Sequence, residues 1–89
     1  MPGTFECSVV TPEAEVYSGQ VSYVVVPAHD GEMGFAVNRA PILVQVGAGT
    51  LRMTTESGAK KELEVSGGFA QMNAGKLVVL ADSAKTDEA

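Results

Sequence analysis

Hydrophobic and polar residues alternate along most of the chain with a period of two, which is the period of a β-strand. The segment TFECSVV, for example, places Phe5, Cys7 and Val9 on one face. TLRMTTE at 50–56 and KELEVS at 61–66 alternate in the same way. Each of these patterns predicts a strand that buries one face and exposes the other.

Glycine and proline divide the remaining pattern into short segments. EAEVYSGQ is expected to stop at Gly19, and the β-branched run VSYVVVPA to be covered on both faces and to end at Pro27. Gly58 predicts a hairpin turn, and Gly67–Gly68 predicts a bulge or a close backbone approach. Strands at this spacing, with no helical period before residue 81, predict an all-β sandwich or barrel.

Composition and charge restrict the class of protein. The chain has 89 residues, of which 45% are hydrophobic and 19% charged, enough for one domain with an aliphatic core. A net charge of −5 argues against binding to nucleic acid or to an anionic membrane surface. The longest apolar run, YVVVPA, is too short to span a membrane, and the first ten residues do not resemble a signal peptide. We therefore expect a soluble intracellular protein.

The residues that carry catalysis are sparse. His29 is the only histidine and is expected in an exposed turn, while Cys7 is expected to be inert packing. The glycine pairs are not phosphate loops, because no GxxxxGK[ST] pattern is present. Glu62 and Glu64, beside two lysines, are typical of a solvated edge. We predict no enzymatic activity, no cofactor and no metal, and a β domain that binds a partner.

Five motifs in order carry a family resemblance. They are VVTPEAEVYSGQVSYVVVPAHDGEMGF at 9–35, NRAPIL at 38–43, GAGTLRM at 47–53, VSGGFAQM at 65–72 and KLVVLADSA at 76–84. In this order they resemble the epsilon subunit of F-type ATP synthases, which is called delta in mitochondria. Each motif alone is weak, but the ordered set is specific.

The resemblance implies a flattened β-sandwich of about ten short strands, here as a domain over 1–84 with a short polar tail at 85–89. It implies a rotor subunit at the foot of the central stalk that packs on the gamma subunit and touches the polar loops of the c-ring. Such a subunit links proton flow to ATP synthesis without catalysing a reaction. The expected location is the cytoplasmic face of a bacterial inner membrane, without insertion into the bilayer.

The resemblance also assigns surfaces to this chain. The expected c-ring residues are Asp30, Gly31, Glu32 and Met33, with Gly34 helping to shape the turn, and the expected gamma-facing residues are Thr11, Val21, Arg39, Ala40, Pro41 and Ile42. The family commonly has a histidine where this chain has Arg39, so any contact there involves a permanent cation. The other interpretation of Glu32 is a solvated turn acid, and one exposed ion pair could not anchor a ring by itself.

The end of the chain departs from the family. Family members usually continue into a helical hairpin, which can inhibit ATP hydrolysis and in some members binds ATP, whereas this sequence ends at Ala89. Either the natural protein lacks the hairpin, which the initiating Met1 favours, or the sequence is a truncated piece of a longer protein. In both cases we expect neither hairpin-driven inhibition nor an ATP site in these residues. Two other functions stay open: inhibition of hydrolysis through gamma, and a stand-alone β-sandwich that binds a small ligand.

Overall fold

The computed structural model describes residues 3–37 and 40–86, and every regular element in those ranges is a β-strand. This confirms the predicted all-β class. The strands are β1 (Phe5–Val10), β2 (Glu15–Ala28), β3 (Gly31–Ala36), β4 (Ile42–Gln45), β5 (Gly49–Thr55), β6 (Lys60–Asn73) and β7 (Lys76–Thr86).

Five of the strands form a closed sheet. They pair in the order β1, β7, β6, β5 and β2, and the sheet closes because β1 also pairs with β2. Strand β3 continues the sheet beyond β2, and β4 pairs with the second half of β6. Only the β1–β7 pair is parallel among the strand pairs described. The molecule measures 33 × 30 × 22 Å, which is the flattened sandwich that was expected.

The described residues form seven strands rather than the predicted ten or so. The number is lower because β2 and β6 are each 14 residues long. The predicted stop at Gly19 is wrong. Gly19 lies inside β2 and pairs with Cys7 of β1. The Tyr17 hydroxyl oxygen lies 3.0 Å from where a β-carbon on Gly19 would stand, so the tyrosine ring covers the glycine and the strand continues.

The second half of β2 is less enclosed than its β-branched sequence predicts. Val24 and Val26 are fully buried, but Tyr23 on the opposite face is 46% exposed. Pro27 does not end the strand, since it still lies opposite Glu32 of β3 and its carbonyl accepts a hydrogen bond from the Gly47 N–H at 2.7 Å. Proline is tolerated here because this backbone position contributes an acceptor and needs no donor.

The core is built from aliphatic side chains and two phenylalanines on alternating positions of every strand except β4. Phe5, Cys7 and Val9 of β1 face it, as predicted, and so do Leu51 and Met53 of β5. The other fully or nearly fully buried apolar residues are Val21, Val24, Val26, Phe35, Val46, Leu63, Val65, Ala70, Met72, Leu77, Val79 and Ala81.

The alternation in β6 changes phase at its two glycines. Leu63 and Val65 are buried ahead of Gly67–Gly68, whereas Ala70 and Met72 are buried after them, so the inward positions shift by one residue. Gly68 has a φ of +109°, and a β-carbon there would collide with the carbonyl oxygen of Leu80 in β7. The predicted close backbone approach is thereby confirmed, and the phase change turns the following residue outward.

The hairpins follow the predicted turn chemistry. Gly58, with a φ of +92°, lies in the turn between β5 and β6. Ala74 and Gly75 join β6 to β7 with φ values of +53° and +76°, as a two-residue hairpin turn of the mirror-image type requires. Strand β7 then pairs with β6 as far as Thr86, which stands opposite Leu63. Thr86 lies two residues past Ala84, where the sequence predicts the end of the domain.

Candidate protein-binding surfaces

Three large apolar side chains are exposed to solvent on the outer face of β4, β6 and β7. Leu43 is 63% exposed, Phe69 is 51% exposed and Leu80 is 53% exposed. Phe69 and Leu80 are directly opposite each other in the ladder, and Leu43 is opposite Gln71, two positions along from Phe69. Residues opposite each other, or two apart, share one face of a sheet. We call Leu43, Phe69 and Leu80 the outer patch.

An open groove of about 560 Å³ runs beside the outer patch. Its walls come from the end of β1, the following turn, β4, and the middle of β6 and β7. Asp82 is the one charged side chain in this lining. The groove is lined by Val10, Thr11, Pro12, Gln45, Val46, Gly67, Gly68, Phe69, Leu80, Ala81 and Asp82.

The residues expected to face gamma do not all reach the surface. Ala40 and Pro41 are exposed, and Ile42 is half-buried opposite Met72, next to Leu43 of the outer patch. Thr11 lines the groove but is largely buried, and its hydroxyl accepts hydrogen bonds from the backbone N–H groups of the turn that follows. Arg39 lies outside the described residues.

Val21 requires a correction. Its side chain is fully buried in the core, between β1 and β5, where it pairs with Phe5 and Thr55. A partner cannot touch this side chain while the sandwich is intact. Any effect of Val21 on a partner therefore has to pass through the packing of the core.

Glu32, the main residue expected to face the c-ring, is part of an ion pair. Arg52 of β5 donates through Nη1 to Oε2 of Glu32 at 3.0 Å and through Nη2 to Oε1 at 3.1 Å. The side chains are 44% exposed for Arg52 and 54% exposed for Glu32. The hydrogen bonds and the charge of Arg52 lower the pKa of Glu32, so the carboxylate is ionised at neutral pH.

The neighbours of Glu32 are placed differently from one another. Asp30 is exposed in the turn, and Gly31 opens β3 with a φ of +137°. Met33 is half-buried and packs against the core, so its side chain points away from the surface that Glu32 shares. Gly34 does not shape the turn: it lies inside β3, where the Tyr23 ring occupies the space above it.

Other polar groups on the same outer face also pair with one another. The Thr50 hydroxyl donates to Oε2 of Glu64 at 2.7 Å, and Arg52 stands opposite Glu62 in the β5–β6 ladder. We call Glu32, Thr50, Arg52, Glu62 and Glu64 the charged face. It is formed by β3, β5 and the first half of β6, whereas the outer patch lies on β4, β7 and the second half of β6.

Reactive side chains are either buried or isolated. Cys7 is fully buried, and burial raises the pKa of its thiol to about 12, so it stays protonated and unreactive. His29 is exposed in a turn, as expected. Across residues 3–37 and 40–86, no group of three or more His, Cys, Asp and Glu side chains is arranged to hold a metal ion. In the same ranges, no helix has the length and apolar character needed to cross a membrane.

Sequence reasoning missed the residues that dominate both surfaces. Strict alternation from Leu63 and Val65 would bury Phe69, so the exposed position of this ring depends on the phase change at the glycines. The signal was present in the Gly67–Gly68 pair, which predicted an irregularity but not its direction. The alternation of TLRMTTE predicts an outward-facing Arg52, yet the pairing of Arg52 with Glu32 depends on strand order.

The fold and its surfaces define a closed, flattened β-sandwich domain with one apolar and one charged outer face. The family described as "ATP synthase, Delta/Epsilon chain, beta-sandwich domain" matches residues 4–87, and this chain belongs to that family. The ATP synthase epsilon chain of Desulfitobacterium hafniense is 36% identical over 88 residues, which cover 99% of this chain and 66% of that protein. The epsilon chain of Desulforamulus reducens is 39% identical over 85 residues, covering 96% and 64%.

Solved structures show the same fold. A chain in the structure of Euglena gracilis mitochondrial ATP synthase (OSCP, F1 and c-ring) has a TM-score of 0.88 at 23% identity, over 97% of this chain and 55% of that one. A chain in the central stalk and c-ring structure from Tetrahymena thermophila has a TM-score of 0.72 at 18% identity, over 89% and 63%. This chain therefore spans two thirds or less of the proteins it resembles.

Proposed function

We propose that this chain is a non-catalytic subunit of the central stalk of a bacterial, proton-translocating ATP synthase. In this role it links the gamma subunit to the c-ring and helps to couple proton flow to ATP synthesis, at the cytoplasmic face of the membrane. Family membership over residues 4–87 supports the assignment to the complex. The fold shared with chains in structures of a central stalk and c-ring agrees with this position.

The observation that carries the proposal is the outer patch. Leu43, Phe69 and Leu80 expose apolar surface on one face of a small domain, and such patches are typical of protein interfaces. Pro41, expected to face gamma, is exposed just before β4, whereas Ile42 begins that strand with its side chain packed against the core, on the face opposite Leu43. We assign this face to gamma, with Phe69 as the central aromatic anchor.

The charged face supplies the second contact in this proposal. The turn at Asp30 and the start of β3 bring Glu32 to one end of the β2–β3 hairpin. Polar loops of a c-ring suit this end, because it offers the carboxylate oxygens of Glu32 beside the guanidinium of Arg52. The ends of the domain would then meet different partners, with gamma on the outer patch and the ring near Glu32.

The gamma contact is tested by replacing Phe69 with Ser and measuring binding to purified gamma by calorimetry. We expect Kd to rise by a factor of about 30, equivalent to about 2 kcal/mol, because an aromatic anchor is lost. Tyr23→Ser is the matched control, since Tyr23 is also a half-exposed aromatic ring but lies on the other face. Equal losses in both variants, or none in Phe69→Ser, would contradict the assignment.

The ring contact is tested by Glu32→Lys in the assembled complex, with ATP-driven proton pumping in membrane vesicles as the measurement. We expect weaker pumping with little change in the Tm of the isolated chain, because Glu32 is exposed. Glu56→Lys makes the same charge change in the turn between β5 and β6 and should leave pumping intact. Normal pumping in Glu32→Lys would remove the ring contact from the proposal.

Inhibition of ATP hydrolysis through gamma is a second function that the outer patch would permit. It predicts that added protein slows hydrolysis by the rest of the complex, and that Phe69→Ser relieves the effect. Small-ligand binding is the other alternative, and the described residues include two grooves, of about 560 and 310 Å³, that are open to solvent.

A further inference from the structure

Glu32 and Arg52 meet above a strand to which neither belongs. Glu32 lies on β3 opposite Pro27 of β2, and Arg52 lies on β5 opposite Val25 of β2. Their strands are two strand spacings apart, about 10 Å, so both side chains must extend over β2 for their head groups to touch. The contact is therefore made by the two head groups over the intervening strand, and not by neighbouring backbone positions.

The contact fixes the plane of the carboxylate. Each oxygen of Glu32 accepts one N–H from Arg52, at 3.0 and 3.1 Å, in the two-pronged arrangement that the rigid guanidinium favours. An ionised carboxylate has about four acceptor positions, and Arg52 uses two of them. Because Glu32 is 54% exposed, the remaining positions are open to an outside donor.

We propose that Arg52 is a positioning residue that holds the Glu32 carboxylate for its partner. This rests on the proposed function, in which Glu32 meets a polar loop of the c-ring. The element presented to the loop is then an ion pair with no net charge, rather than a free acid. The matching partner chemistry is a hydrogen-bond donor, such as an amide or a backbone N–H, that uses the open acceptor positions while Arg52 stays in place.

The positioning role is tested first on the isolated chain, by following the titration of the Glu32 side chain by NMR. Arg52→Gln should raise the pKa of Glu32, and Arg52→Lys should give an intermediate result because an ammonium lacks the fork geometry. Lys60→Gln is the control, since it removes a cation from the start of β6, which pairs with β5, without touching Glu32. Identical titration of Glu32 with and without Arg52 would overturn the proposal.

The second measurement is proton pumping by the complete complex. Arg52→Gln should lower the initial rate by about two- to fivefold, the range that an exposed ion pair supports, and should add little to Glu32→Gln. The double exchange Glu32→Arg with Arg52→Glu keeps an ion pair but moves the acid to β5. The exchanged pair should preserve Tm and leave pumping impaired. Full pumping by this double variant would show that the ion pair only holds β3 and β5 together, and it would overturn the positioning role.

Failure of the proposed function has a separate signature. If Glu32→Gln pumps normally while Arg52 still controls the titration of Glu32, then the ring contact is wrong and Arg52 nevertheless holds the carboxylate. If the titration is independent of Arg52 while Glu32→Gln impairs pumping, the ring contact stands and the positioning role falls.

Discussion

The outer patch and the charged face differ in how their side chains are satisfied. On the charged face, Arg52 bonds to both oxygens of Glu32, and Thr50 bonds to Glu64. On the outer patch, Phe69 and Leu80 stand opposite each other and still expose about half of their surface. Polar groups can satisfy one another along a sheet, but apolar surface is removed from water only by another molecule. The apolar face therefore needs a partner more than the charged face does.

The same strand supplies both faces. Glu62 and Glu64 in the first half of β6 belong to the charged face, and Phe69 in the second half belongs to the outer patch. The phase change at Gly67–Gly68 separates the two halves. One long strand with a glycine break can thus serve two surfaces of opposite character.

The largest expected effect comes from removing that break. Gly68→Ala places a β-carbon against the Leu80 carbonyl at a φ of +109°, so either the β6–β7 ladder opens or the residue takes another conformation. We expect a loss of about 3 kcal/mol or more in the free energy of unfolding, from strain and overpacking together. Thermal melting measures the loss, and labelling of the buried Cys7 thiol gives an independent report of unfolding.

Gly58→Ala is the matched control for this substitution. Gly58 also has a positive φ, +92°, but a β-carbon there meets no atom within 4 Å. Only the backbone conformation is penalised, so the expected cost is about 1–2 kcal/mol. Equal Tm losses in the two variants would mean that the close approach to Leu80 is unimportant.

A smaller effect tests whether the two faces act separately. Phe69→Ser and Leu80→Ser should be non-additive in gamma affinity, with a coupling of roughly 0.5 kcal/mol or more, because the residues are direct neighbours. Phe69→Ser and Tyr23→Ser should add within about 0.5 kcal/mol, since they lie on different faces. Calorimetric titration of gamma with the single and double variants of each cycle gives the coupling free energies. Strong coupling between Phe69 and Tyr23 would join the faces into one interface.

The smallest effect concerns the pH and salt dependence of the charged face. The folded chain lowers the pKa of Glu32 below its ordinary value of 4.5, so the ion pair stabilises the fold fully above that pH. Its contribution is lost as the pH falls through the lowered folded value. In 1 M salt, where the Debye length is about 3 Å, the pKa of Glu32 should return toward 4.5. An NMR titration at low and high salt checks this, and salt-independent values would argue against the pair.

Local patterns predicted much of the fold from the sequence. Alternation identified β1, β5 and the first half of β6, and glycine chemistry identified the Gly58 turn and the close approach at Gly68. The break at Gly19 was predicted wrongly, because glycine often marks a turn. Here the Tyr17 ring covers Gly19 within the same strand, a compensation that a residue-by-residue reading does not include.

The candidate surfaces were predicted less well than the fold. Glu32 was identified from a family motif, whereas its partner Arg52 lies 20 residues away in the chain and is brought near by strand order. Val21 was assigned to a gamma-facing surface from its place in a family motif, and its side chain is buried in the core instead. A motif position does not specify which face of a strand a side chain takes, and β2 has an irregular register between Val21 and Tyr23.

The sequence by itself determined an aliphatic, acidic all-β domain, its turns, and its resemblance to one family, because these depend on local periodicity, backbone preference and motif order. Only the tertiary structure decided which side chains meet and which stay in water. The order β3–β2–β5 brings Glu32 to Arg52, and the close passage of Gly68 under Leu80 turns Phe69 outward. Both outcomes depend on contacts between distant strands, which closure of the sheet creates and no local pattern encodes.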